Sequence, residues 1–140
     1  MTVRDALPTD EQAVVALWQA CGLVASYNDP GADFRFAVAG PSSTVLVAEG
    51  TEGAILASVM VGHDGHRGWL YYVSAAGDRR GEGLGSAVVS AGEQWLCDRG
   101  VPKVQLMVRD TNTAVLPFYE RLGYEDSPRV IMSKWLDKPA

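Results

Sequence analysis

The residues best equipped for chemistry lie between Trp69 and Leu96, in the stretch WLYYVSAAGDRRGEGLGSAVVSAGEQWL. Gly81, Gly83 and Gly85 alternate with single residues, and Arg79 and Arg80 stand just before them. Without a Cβ, glycine takes positive φ and approaches a ligand closely, so successive N–H groups converge on one small concavity. An aromatic and β-branched run precedes the glycines, and Leu84, Ala87, Val88, Ala91 and Trp95 follow at helical spacing. The pattern predicts a strand, a glycine loop and a helix. A helix opening near Gly83 adds its unpaired first-turn N–H groups and the positive end of its dipole. Such a segment suits an anion, and a phosphate in particular.

The glycine spacing then separates the phosphate loops. GxxxxGK[ST] fails, because no lysine followed by Ser or Thr stands in register after Gly83 or Gly85. GxGxxG fails too: counted from Gly81 it ends on Ser86, and counted from Gly83 it ends on Val88. What remains is R-x-x-G-x-G, as Arg80, Gly83 and Gly85 between a strand and a helix, and it resembles the acetyl-CoA loop of the GNAT superfamily of N-acetyltransferases. A second block, NTAVLPFYERLGY from Asn112 to Tyr124, resembles that superfamily's N-x-x-A-x-x-F-Y-E-x-x-G-F/Y segment at the expected distance. The GHDGHRGWLYY hairpin before the loop narrows the likeness to small bacterial single-domain members of the YpeA-like kind.

The resemblance implies a GNAT-like α/β fold with a mixed, mainly antiparallel sheet flanked by helices. It implies acetyl-CoA as co-substrate, with main-chain groups near Val73 and Ala75 pairing with the pantetheine amides as an added strand. N–H groups of Arg80, Gly81, Glu82, Gly83, Leu84, Gly85 and Ser86 hold the pyrophosphate. Tyr119 matches the family tyrosine that donates a proton to the departing sulfur, and Asn112 matches a position near the pantetheine arm. The implied reaction is direct acetyl transfer to an amine.

Attack requires a neutral amine. An α-amino group with pKa near 7.7 needs about 1 kcal/mol to be neutral at pH 7, whereas a lysine amine near 10.4 needs about 4.6 kcal/mol. Asp64, His66, Glu49 and Tyr71 are all candidate bases, and the residues do not choose among them. A non-catalytic acyl-CoA sensor is the alternative expectation, and a nucleotide-phosphate binder resting on the glycine loop alone is a distant third.

These residues need elements to position them. Residues 2–6 read as a first strand, and Thr9-x-x-Gln12 as a capping box opening a helix with Ala13, Val14, Leu17, Trp18 and Cys21 on one stripe, stopped by Gly22. A loop over residues 24–29 and a helix over 30–39 follow. The resemblance implies that these two helices flank the acceptor groove, so Tyr27, Asn28, Asp29, Phe34 and Arg35 are candidates to face a substrate. Residues 44–49 and 55–62 alternate as strands. Asp64-Gly65 predicts a two-residue type I′ hairpin into a strand over 69–76. Residues 103–108 read as a strand, and Asp110 to Thr113 as a turn or cap. A helix starts near residues 113–115, with Pro117 in or just after its first turn, and a final strand is expected over 130–136.

At 140 residues the chain is long enough for one domain with a full core, and 47% hydrophobic with 21% charged residues is an ordinary globular balance. A net charge of −5 argues against a nucleic-acid surface. The N-terminus lacks a basic start with an apolar segment, and no apolar run is long enough for a bilayer. A cytoplasmic enzyme is therefore expected, with Cys21 and Cys97 as buried reduced thiols. His63 and His66 have no partners at metal-ligand spacing, so no metal is expected. A homodimer through residues 130–136 or a sheet edge is a further expectation.

Overall fold

The computed structural model describes residues 1–77 and 83–137, and the backbone divides into two units, Met1–Met107 and Val108–Ala140. In the first unit the chain runs β1 (Thr2–Asp5), α1 (Glu11–Ala20), α2 (Pro30–Ala39), β2 (Ser43–Glu49), β3 (Ile55–His63), β4 (Gly68–Ala75), α3 (Leu84–Asp98) and β5 (Val104–Leu106). The sheet order is β1-β2-β3-β4-β5. The first three pairings are antiparallel and β4 with β5 is parallel. This is the mixed, mainly antiparallel α/β sheet that the sequence leads one to expect.

Alternation along the strands fills two layers. On one face α3 packs so closely that a Cβ on Gly92 would stand 2.9 Å from Leu70 Cδ2, with Val59 and Val61 beside it. On the other, Val14 and Trp18 of α1 and Phe34 and Ala37 of α2 form a core with Val45 and Val47, and Met60 and Tyr72 pack against it. Leu96 lies over Gly68 and Gly92 over Leu70. α3 therefore runs antiparallel to β4 and brings its own N-terminus to the Ala75 end of that strand. No helix among the described residues is long and apolar enough to cross a membrane.

Several local expectations are corrected. The β3–β4 hairpin exists, but its link is residues 64–67, and only Gly65 has positive φ. Asp64 explains the difference: its Oδ1 accepts the N–H groups of His66 at 2.9 Å and Arg67 at 2.7 Å while its own N–H donates to the Arg67 carbonyl at 3.2 Å, so a side chain takes one of the two bonds that a type I′ turn would make with backbone. Thr9 is no helix cap. It lies inside a 3-10 turn, Pro8–Asp10, and Asp10 Oδ2 accepts the Leu7 N–H at 2.7 Å. Phe34 is a core residue, 1% exposed, and not a substrate-facing one. Neither cysteine is buried: Cys97 falls on the solvent side of α3 and Cys21 is half-buried at the end of α1.

In the second unit a 3-10 turn, Thr113–Val115, leads into α4 (Leu116–Arg121), with Pro117 in the first turn where its missing N–H is not needed. Gly123 takes a φ of +95° just beyond. Residues 130–136 form no strand, and Val130 at 89% and Met132 at 91% are exposed. Apolar residues fall on both faces of that segment, Val130, Met132 and Leu136 against Ile131 and Trp135. Alternation there defines no single face to bury, and a strand exists only through its ladder.

Candidate active site

β4 is the element around which the candidate site is built. Its pairing with β5 covers only Gly68, Trp69 and Leu70, matched to Val104, Gln105 and Leu106. Among the described residues, 71–75 have β3 on one side and no strand on the other. The ladder also shows which way the free groups point. Ala76 donates its N–H to the Leu56 carbonyl at 2.8 Å while Ala57 stands opposite Ala75. Antiparallel bonds alternate, so the N–H and C=O of Ala75 point away from β3, toward the open side. The Cys21 thiol donates to that carbonyl at 3.3 Å.

Between these residues β4 carries a bulge. Ser58 pairs with Ser74 but Met60 pairs with Tyr71, so Tyr72 and Val73 both stand opposite Val59. Tyr72 has φ +52°. For a residue with a Cβ the left-handed region costs about 1–2 kcal/mol, so its surroundings must hold it there.

At the same end of β4, α3 opens on Gly83 with φ +74°, and no side chain caps it. The N–H groups of Leu84, Gly85 and Ser86 precede the first intrahelical bond, Ala87 N–H to Gly83 C=O at 2.9 Å, and have no backbone partner among the described residues. Ser86 turns its hydroxyl back onto the Gly83 carbonyl at 3.3 Å. Leu84 is buried and anchors the turn. Arg80, Gly81 and Glu82 of the expected pyrophosphate loop, with Arg79, lie outside the described residues.

The four candidate bases are dispersed. Asp64 and His66 sit in the β3–β4 link, at the opposite end of β4 from α3's N-terminus. Its three bonds, to the N–H groups of Arg67 and His66 and to Trp69 Nε1, hold the Asp64 carboxyl down at about 2. Glu49 ends β2 and is bound to Arg4, Nε to Oε2 at 2.8 Å. Tyr71 shares a face with Trp69, the rings stacked at 6.4 Å, and burial with the nearby Asp64 charge raises its phenol. His63 packs near Trp95, ring centroids 6.2 Å apart.

Of the acceptor-facing candidates, Asp29 caps α2 by accepting the Ala32 N–H at 3.1 Å, and Arg35 pairs with Glu11 at 2.6 Å. Tyr27 is exposed and Asn28 half-buried in the α1–α2 loop. Sequence reasoning passed over Asp33 and Tyr72. Tyr72 donates its hydroxyl to Asp33 Oδ2 at 2.8 Å. The signal was a bulge, which no period-2 pattern announces.

In the second unit Tyr119 lies half-buried on α4, edge-on to Phe118 at 4.9 Å and to Tyr124 at 5.9 Å, and burial raises its phenol pKa. Asn112 is exposed before the 3-10 turn. Its side chain does not cap that turn, and its N–H donates to the Arg109 carbonyl at 2.9 Å.

An open strand edge beside an uncapped helix start is the arrangement on which comparison with known proteins bears. Residues 10–124 match the model of the acetyltransferase (GNAT) family. The chain belongs to the GNAT acetyltransferase family. Over 136 residues, this GNAT chain is 40% identical to an acetyltransferase of Yersinia enterocolitica, covering 97% of one and 96% of the other. An acetyltransferase of Pectobacterium atrosepticum is 41% identical over the same shares. Among solved structures, a putative acetyltransferase from Agrobacterium tumefaciens superposes with TM-score 0.79 at 23% identity, over 96% of this chain and 100% of that one. AAC(6')-Iy, in complex with the bisubstrate analogue CoA-S-monomethyl-acetylneamine, superposes with TM-score 0.80 at 16% identity, over 96% and 97%. The solved structures share the fold of this chain, and the relatives from Yersinia and Pectobacterium share its family.

Proposed function

We propose that this GNAT acetyltransferase transfers acetyl from acetyl-CoA directly to a primary amine, on a small molecule or a peptide N-terminus, and that its 140 residues form one N-acetyltransferase domain. The observation that carries the reading is the side of β4 over residues 71–75 that no strand pairs among the described residues, at the end of β4 where α3 begins without a side-chain cap. The pantetheine arm completes that edge through main-chain groups of Val73 and Ala75, as an added strand would. The weak thiol donor of Cys21 yields the Ala75 carbonyl to a pantetheine amide. N–H groups of Gly83, Leu84, Gly85 and Ser86 hold the pyrophosphate at the positive helix end, with Arg80, Gly81 and Glu82 completing the loop. Asn112 contacts the pantetheine arm.

Acetyl-CoA supplies an activated carbonyl with a thiolate leaving group. Tyr119 supplies the proton that lets the sulfur leave. Burial raises its phenol, so it stays protonated at neutral pH and is poised to donate. The bond from amine nitrogen to carbonyl carbon forms, the carbon–sulfur bond breaks, the nitrogen sheds one proton that restores the Tyr119 phenol, and the products are an amide and the free CoA thiol.

The environments of the candidate bases bear on the choice of acceptor. Asp64 is held at about 2, Tyr71 is raised and Glu49 is tied to Arg4. Asp64 and Tyr71 are therefore poor acceptors of an ammonium proton, and an amine already partly neutral, such as an α-amino group, makes a smaller demand on any base than a lysine side chain does. The same observation is what supports the second reading, a non-catalytic acyl-CoA sensor. Thiol release from acetyl-CoA across a panel of amines separates the two: the enzyme accelerates with an α-amine, while a sensor binds acetyl-CoA and shows no amine-dependent release.

A further inference from the structure

We infer that Tyr72 is a positioning residue, clamped between α1 and α2, which sets the shape of the β4 bulge and so aligns the strand edge along which the thioester lies. The inference rests on the placement of the pantetheine arm proposed above. At the first position of a bulge with positive φ the chain normally uses glycine. Here a tyrosine occupies it, and the pairing with β3 asks nothing of its side chain. The reason for a tyrosine is therefore on the helical face of the sheet.

There its ring lies flat on that of Trp18, centroids 4.0 Å apart and planes within 6°. Its hydroxyl donates to Asp33 Oδ2 at 2.8 Å, fixing it to α2. Burial first, then the bond to Asp33, raises this phenol and keeps it a donor. Trp18 itself is immobilised: it is fully buried, and its indole N–H donates to Ser58 Oγ at 2.9 Å. Ser58 Oγ in turn lies 2.8 Å from Ser74 Oγ. Ser74 follows the bulge and Tyr72 begins it, so both sides of the one-residue insertion are referenced to one tryptophan of α1. The main chain of Val73, held between them, takes its direction from this clamp. Tyr71 and Tyr72, consecutive in sequence, both face the α1–α2 side, an orientation that regular alternation forbids and the bulge allows.

The test uses the full chain with two substitutions, Tyr72→Gly and Tyr72→Phe. Glycine accepts positive φ without strain but removes the clamp, whereas phenylalanine keeps the stack and loses only the bond to Asp33. Misplacement of a reacting group by about 1 Å costs on the order of a hundred-fold in rate. For folded Tyr72→Gly the account expects a kcat drop of that order at 25 °C, acetyl-CoA KM within about three-fold of the parent, and recovery of most of the loss in Tyr72→Phe. Amide exchange in the free protein gives a readout independent of turnover: residues 71–75 exchange faster in Tyr72→Gly while β2 is unchanged. A kcat within two-fold of the parent, or unchanged exchange at residues 71–75, overturns the inference. If the parent shows no amine-dependent turnover, the functional reading fails, and the exchange comparison alone decides the role of Tyr72.

Discussion

At the residue scale, proton affinities carry the account. Tyr119 is raised by burial, so it remains an acid across the physiological range and ionises only above the usual value of about 10. Tyr119→Phe is expected to lower kcat about a hundred-fold while acetyl-CoA affinity is retained. Steady-state rates alongside calorimetric binding check this, and a variant with full rate removes the assignment. Asp64 works in the opposite direction. Its folded value near 2 lies below the ordinary carboxylate range, so its stabilisation is present above about pH 4 and lost as the pH falls toward 2. Thermal melts from pH 5 to 2 should show a steeper fall for the parent chain than for Asp64→Asn. Of these two residues, sequence alone pointed to Tyr119 through its motif. It named Asp64 only as a candidate base, because a turn carboxylate and a catalytic one look alike until their bonds are seen.

At the scale of elements, close packing between α3 and β4 fixes where the helix start meets the strand end. A Cβ on Gly68 would stand 2.5 and 2.7 Å from the two methyl carbons of buried Leu96 and 3.1 Å from its Cγ. Gly68→Ala is expected to destabilise by about 1–3 kcal/mol, read from denaturant melts, because neither side can yield freely. Gly83→Ala combines strain at φ +74°, about 1–2 kcal/mol, with a Cβ at the proposed anion site, so weaker CoA binding in titrations and a lowered melting temperature are both expected. The helices α1, α2 and α3 and the strands β1 to β4 were legible because apolar periodicity and breakers such as Gly22, Pro30 and Gly100 agree. The failures have one character. The residues 64–67 link depended on a side chain closing a turn, Tyr72 on a bulge, and residues 130–136 on a partner ladder that alternation cannot supply. Each depends on what lies across the sheet or the turn, and local pattern carries no record of it.

At the scale of the whole molecule, the family is shared with acetyltransferases of Yersinia enterocolitica and Pectobacterium atrosepticum over nearly the full chain. The motif blocks around Gly83 and Tyr119 made that legible in the sequence, because a backbone anion site of the kind proposed would demand glycines at set positions. The acceptor was not legible, since acceptor recognition imposes no comparable backbone signature. A net charge of −5 adds a weak long-range preference for cationic partners, amines among them. The direct test is the release of CoA thiol by the full chain at pH 7 with acetyl-CoA and a matched set of α-amines and lysine-type amines. The account predicts amine-dependent release, faster with α-amines. Tight acetyl-CoA binding with no acceleration by any amine would contradict it.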